Sequence, residues 1–314
     1  MGNVNGECPA SITREALFAF VLRYYHAMCL IIFAYRADPR FPLVVAANRD
    51  EFFTRPTAQA DFWQSASGSR ILAGKDLQAG GTWLGITPGG RFAAVTNIRD
   101  PSQAEAKPRS RGELTSSFLG GKLTATQFCA GLSDSFADYA GYNLLVGDGE
   151  QLVYVNNVER TSQVLSPGIH GLSNGRLNSD WPKVTRGREH LAALLTSAIA
   201  PRTDDLLKMM SDPRPAPDDQ LPDTGVPRDL EKSLSAAFIR NPERQYGTRC
   251  STALLVAADG AMRFGEANFD SDARPIGKHF FELPAAVTGT ASDRDQDKVG
   301  ERVQGHDPGA ANSI

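Results

Sequence analysis

Cys29-Leu30-Ile31-Ile32-Phe33-Ala34-Tyr35 and Leu43-Val44-Val45-Ala46-Ala47-Asn48-Arg49-Asp50-Glu51 decide the fold. Both segments are rich in aliphatic, β-branched and aromatic residues, and Asp38-Pro39 with Pro42 supplies turn chemistry between them, so they read as a β-hairpin. A turn centred between Asp38 and Pro39 sets Cys29 across from Asn48. This register carries Asn48, Arg49, Asp50 and Glu51 to the end of the sheet that holds Cys29. Four polar residues following directly on an apolar strand are either a surface cap with paired charges or a site.

Outward from the hairpin, residues 70–73, 82–86 and 91–95 form a second meander, with Pro88-Gly89-Gly90 as one of its turns. Helices are expected over 111–119, 124–132 and 180–195, the last with Pro182 in a first turn where its missing N–H costs nothing. Further strands are expected near 142–146, 152–155, 251–257 and 261–266. Strand-rich halves separated by grouped helices, without βαβα alternation, predict an α+β protein with antiparallel sheets. No GxGxxG or GxxxxGK[ST] string opens a helix after a strand, so a dinucleotide or nucleoside triphosphate is not an expected cofactor. Residues 1–27 are expected to lie outside the fold, 29–283 to form the domain, and 284–314 to be a disordered polar tail. The proline-rich stretch 211–228 reads as a surface insertion.

With 41% hydrophobic residues in 314, the chain has enough apolar surface for a large core. Its 33 basic and 36 acidic residues leave a net charge of -3, which gives no electrostatic reason to expect a nucleic-acid partner. No apolar run approaches the ~20 residues of a membrane span. Cys8, Cys29, Cys129 and Cys250 form no CxxC pair and have no histidine at ligand spacing, so neither a metal nor a disulfide framework is expected, and a cytoplasmic setting fits. The expected partner is a small molecule. Oligomeric state is not legible.

Cys29 follows Met28 directly, and that order changes what the thiol can do. If translation starts at Met28, removal of methionine leaves Cys29 first, and an α-amino group titrating near pH 8 can take the thiol proton. Autocatalytic release of residues 1–27 as a propeptide is another reading of the extension, one that leaves Met28 still to be removed. Arg49 would favour the thiolate, and Asp50 could accept hydrogen bonds from the amine. The plainer reading of a free cysteine is a small buried hydrophobe, which is also the reading of Cys129 and Cys250.

Met28-Cys29, Asn48-Arg49-Asp50-Glu51, Gly80-Gly81-Thr82-Trp83-Leu84-Gly85, Thr96-Asn97, Ser110-Arg111-Gly112, Tyr142-Asn143-Leu144-Leu145, Gly171-Leu172-Ser173-Asn174, Trp181-Pro182-Lys183-Val184 and Tyr246-Gly247-Thr248-Arg249 occur in this order. Together they resemble the NRDE-motif family, whose eukaryotic member is transport and Golgi organisation protein 2. The likeness runs from Cys29 to about Phe269, and the preceding 27 residues depart from the family pattern. The resemblance implies a four-layer αββα sandwich like that of N-terminal-nucleophile hydrolases, whose cysteine branch includes choloylglycine hydrolase and penicillin V acylase.

By that resemblance Cys29 is the nucleophile, Arg49 and Asp50 stand beside it, Asn97 and Asn174 donate to an oxyanion, and Arg249 is a second cation. Each has a plainer alternative. Asn97 could close a turn with Ile98-Arg99-Asp100-Pro101, Asn174-Gly175 is a common turn pair, and Arg249 could pair with Glu243 or Asp259. Two functions follow: a hydrolase of non-peptide C–N bonds acting through a thioester at Cys29, or a non-catalytic carrier. The carrier would hold a hydrophobic ligand, haem with Cys29 as thiolate ligand being one case, in line with the family's links to haem movement and secretory organisation.

Overall fold

The computed structural model describes residues 28–101, 107–285 and 301–303. The expected N-terminal extension lies outside the described residues, as does the tail from 286 apart from Glu301–Val303.

The hairpin is present as β1 (Met28–Asp38) and β2 (Phe41–Phe52). Its register differs from expectation by one residue: Cys29 faces Arg49, and Asn48 faces Leu30. The turn lies at Pro39-Arg40, with Asp38 opposite Phe41, and a bulge then sets Arg36 and Ala37 against Pro42 alone. Arg36 takes the left-handed conformation there, at φ 48°. A turn placed one residue later and an extra residue in one strand partly cancel, which leaves the net slip at one.

One sheet has the order β10-β1-β2-β12-β13-β14-β15, with the short β11 beside β12; the other runs β3-β4-β5-β6-β7-β8-β9. All their pairings are antiparallel, as expected from the grouped elements. In the first sheet the further members are β10 (Gly168–Leu172), β11 (Arg240–Asn241), β12 (Tyr246–Val256), β13 (Met262–Phe269), β14 (Pro275–Leu283) and β15 (Glu301–Val303). The second contains β3 (Thr57–Gln64), β4 (Arg70–Asp76), β5 (Leu84–Ile86), β6 (Phe92–Asn97), β7 (Tyr142–Gly147), β8 (Leu152–Asn156) and β9 (Thr161–Val164).

Alternation along β1 shows the layers. Ile31, Phe33 and Tyr35 join the core between the sheets, with Phe92, Leu145 and Phe264. Leu30, Ile32 and Ala34 pack instead against α3 (Pro182–Thr196) and α4 (Thr203–Met209). A third core lies on the far face of the second sheet, where Ile71, Ala93 and Leu144 meet α1 (Arg111–Gly120) and α2 (Ala125–Ala130). The architecture is therefore helices, sheet, sheet, helices, the expected αββα sandwich. A strand covered on both faces has no solvent side to mark with polar residues, which is why β1 reads as a continuous apolar run.

The stretch 211–228 is mostly exposed, as expected, but Ala216 and Leu221 are buried and pin it down. It leads into a short helix, α5 (Arg228–Ser233), whose Leu230 packs with Met28, Ile239 and Tyr246 beneath the start of β1.

Candidate active site

The period of two that sorts β1 and β2 into layers also sorts the polar string. Arg49 and Glu51 share the inter-sheet side with Cys29, whereas Asn48 and Asp50 point to the helix side. Asp50 therefore does not stand beside the Cys29 side chain; it lies opposite Met28, against the backbone that precedes the thiol. All four are buried, which excludes a surface cap.

On the inter-sheet side, Cys29 opens onto a cleft of about 70 Å³ shared with Arg49, Glu51, Trp83, Asn97 and Arg111. Arg49 lies over the Trp83 ring at 4.4 Å, donates to Thr57 Oγ1 at 3.2 Å and pairs with Glu51 at 3.5 Å. Arg55 bridges Glu51 at 3.7 Å and Asp76 at 2.7 Å. Burial pushes the Cys29 thiol up to about 12, the Asp50 charge adds to this, and Arg49 opposes it. In a chain that continues through Met28, the thiol is held protonated at neutral pH.

Asn97, the last residue of β6, has a buried Nδ2 with no partner among the described residues. It lines the cleft with Cys29, as its expected role requires. It closes no turn of its own, since it pairs with Tyr142 on β7. Asn174 is placed differently: its Nδ2 donates to the Asn97 carbonyl at 3.0 Å and its Oδ1 accepts from Ser173 Oγ at 3.1 Å. It thus positions Asn97.

Arg249 also stands back from the cleft. It is the extra residue where β12 shifts register against β2, between Thr248 opposite Asp50 and Cys250 opposite Arg49. Released from the ladder, its Nη1 donates to the carbonyls of Phe52, Phe53 and Arg55 at 2.9–3.2 Å. It fixes the loop that carries Arg55, and pairs with neither Glu243 nor Asp259. Cys250 is buried and Cys129 sits in the third core, as expected of both.

A second buried cluster occupies the helix side of Cys29. Asp50 Oδ1 accepts from Thr248 Oγ1 at 2.6 Å, while Oδ2 has no partner among the described residues. Lys183, in the first turn of α3, donates to the Leu234 carbonyl at 2.9 Å. Burial raises the Asp50 carboxyl and lowers the Lys183 ammonium, and each charge favours the other. Arg99 forms an ion pair with Glu231, stacks near Trp181 at 5.0 Å and approaches the Met28 sulfur at 3.1 Å. Met28 N donates to Tyr246 Oη at 3.0 Å.

Trp83, Arg111, Lys183, Arg99 and Glu231 carry no assigned role in the sequence reading. Signals for three of them were present in Thr82-Trp83, Ser110-Arg111-Gly112 and Trp181-Pro182-Lys183. The first two strings meet because Gly81 and Gly112 touch. A Cβ at Gly81 would lie 2.4 Å from the Gly112 carbonyl, so the loop before Trp83 can rest on the first turn of α1 only without side chains.

Farther along the inter-sheet layer, Glu266 accepts from Ala60 N at 2.7 Å, and burial pushes its carboxyl up to about 6. Between its unfolded value near 4.5 and 6 the unfolded chain loses this proton first, so stability falls as pH rises through that window. Glu266→Gln is expected to remove that slope and to gain about 2 kcal/mol relative to the parent between those limits, at 1.36 kcal/mol per unit. Urea melts at pH 4.5 and 6.5 check it; a variant that tracks the parent refutes it.

Two antiparallel sheets between helix layers, with a buried cysteine at the head of a strand and an amide without a described partner lining the same cleft, define an αββα sandwich that carries the NRDE string at its candidate site. The comparisons name the family. Residues 28–271 match the model of the family described as Transport and Golgi organisation 2, and the chain belongs to that family. It is 36% identical over 262 residues to the Transport and Golgi organization protein 2 homolog of Bos taurus, covering 76% of this chain and 92% of the relative. The Homo sapiens homolog gives the same identity and coverage, and the Drosophila melanogaster protein is 27% identical over 263 residues, covering 76% and 91%. Among solved structures, a Caenorhabditis elegans N-acylethanolamine-hydrolyzing acid amidase ortholog superposes with TM-score 0.43 and 11% identity, covering 72% of this chain and 92% of its own. A mutant conjugated bile acid hydrolase from Clostridium perfringens gives TM-score 0.38 and 10% identity, covering 76% and 88%. No helix among the described residues is long and apolar enough to cross a membrane.

Proposed function

We propose that the protein is a cysteine amidohydrolase of non-peptide C–N bonds that acts once Cys29 is the first residue. The observation that carries this reading is a pair of orphans. Among the described residues, Asn97 Nδ2 and Asp50 Oδ2 are buried polar atoms without partners near Cys29, a donor on a residue lining its cleft and an acceptor on the residue opposite Met28. Leaving such groups unmet costs about 1–3 kcal/mol each, and acyl transfer gives both a use.

With residues through Met28 removed, the new α-amine lies at the Asp50 carboxylate and takes the thiol proton. The sulfur attacks the amide carbon, and the oxyanion receives the Asn97 N–H. The α-ammonium returns its proton to the leaving nitrogen as the C–N bond breaks, giving a thioester. Water, deprotonated by the same amine, then releases the acid and regenerates the thiol. Arg49 opposes the pull of Asp50 on the thiol, while Asn174 and Arg249 hold Asn97 and the Phe52–Arg55 loop in place. A reducing compartment such as the cytoplasm would keep Cys29 a thiol.

Carriage of a hydrophobic ligand is less well supported at this position. The 70 Å³ beside Cys29 admits the few atoms of a reacting amide, whereas pockets for whole ligands run to roughly 300–1,000 Å³. Mass spectrometry of the protein from its native source should show a chain beginning at Cys29 that forms an adduct with a small electrophile. A chain that retains residues before Cys29, with an unreactive thiol, overturns the proposal. Asn97→Ala is expected to lower turnover roughly 100-fold at unchanged adduct stoichiometry, as measured with the amide substrate that screening identifies.

A further inference from the structure

The charges around the cleft do not cancel. Arg49 and Arg55 are matched by Glu51 and Asp76, but the third guanidinium, on Arg111, has no carboxylate within 4 Å among the described residues. Its protein contact is one hydrogen bond to the Gly141 carbonyl at 3.2 Å, which leaves most of its five N–H donors without a described partner. Arg111 is half-buried; desolvation draws its guanidinium down to about 10, and the Glu51 charge across the cleft works the other way. Arg111 is also the first residue of α1, where the backbone N–H groups already present positive charge and a cation is unfavourable. A half-buried arginine at a helix N-terminus, with no carboxylate in contact among the described residues, has its charge only partly met by the protein.

We infer that Arg111 receives a carboxylate of the substrate, so that the reaction proposed above acts on amides bearing one negative charge, such as N-acylated amino acids. This rests on the reading that substrate meets Cys29 in this cleft. Three guanidiniums against two carboxylates leave one positive charge, which a monoanion cancels. Planar guanidinium and planar carboxylate match in shape, and the Trp83 ring and Val95 supply the apolar wall for the carbon atoms between carboxylate and amide. The Ser110–Gly112 turn at the start of α1 adds its dipole in the same sense.

Binding tests this without turnover. The full chain carrying Cys29→Ala is titrated calorimetrically with N-acetylglycine and with its neutral counterpart N-acetylglycinamide, in buffer free of other carboxylates. N-acetylglycine is expected to bind about tenfold more tightly or better, and Arg111→Gln is expected to abolish that preference while leaving the melting temperature within a few degrees. Arg111→Lys should retain part of it, because the charge remains and the fork is lost. Equal binding of the two probes, no binding of either, or a preference that survives Arg111→Gln overturns the inference. Failure of the catalytic reading would appear elsewhere, as a Cys29 that forms no adduct in the processed chain while the carboxylate preference persists.

Discussion

A chain beginning at Cys29 is expected to be alkylated by iodoacetamide at pH 7 about 100- to 1,000-fold faster than one in which residues 1–28 precede it. In the continuous chain the buried thiol sits near 12, so about one molecule in 10⁵ carries a thiolate at neutral pH. A neighbouring α-amine that brings the thiol to about 8 raises that fraction by roughly 10⁴, and the weaker nucleophilicity of the less basic sulfur returns up to about 10². The two chains are compared by following the mass of the Cys29 peptide with time. Asp50→Asn in the shorter chain should cancel much of the gain, because it removes the anion that holds the amine in place. Equal rates in the two chains would show that the amine has no part in activating the sulfur.

Glu231→Ala is expected to cost about 3–5 kcal/mol of stability, measured by urea denaturation. Arg99 and Glu231 side chains are both about 1% exposed, and removal of the carboxylate takes the ion-pair partner from a buried guanidinium beneath β1. It also strips the acceptor from the backbone and hydroxyl of Thr224, which anchor the proline-rich stretch. The paired change Arg99→Met with Glu231→Leu should recover most of the loss, because it removes both charges together. A single variant within 1 kcal/mol of the parent would mean that water reaches this cluster freely.

The sequence made the order of elements legible where patterning is strong. The β1–β2 hairpin and strands β4 to β8 are apolar segments bounded by proline, glycine or polar residues, and helices α1 and α3 follow Ser110 and begin at Pro182 respectively. Strands β3, β9, β10 and β14 escaped: Thr57–Gln64 mixes faces around a bulge, Thr161–Val164 is short and exposed, Gly168–Leu172 carries two glycines, and Pro275–Leu283 begins with proline and contains Gly277. The site was legible as a neighbourhood. A one-residue difference in register exchanges the faces of a strand, so the placement of Asp50 on the helix side could not be read from a turn whose length was uncertain. Arg249 looked like a site cation because a bulge leaves no mark in sequence. Trp83 and Arg111 reach Cys29 only when the second sheet closes over the first, a long-range contact that local reading does not contain.

The burial of Met28 and Cys29 sets an order of events in the life of the chain. The bond between them lies inside a paired strand with Asp50 and Arg49 across it, and both residues are 4% exposed. A peptidase must draw its substrate into an extended, accessible form, which this bond no longer offers once β1 is zipped to β2. On the function proposed above, maturation by an outside enzyme is a race against folding: a nascent chain trimmed early closes with its amine in place, and one that folds first keeps the same shape without a free amine at Cys29.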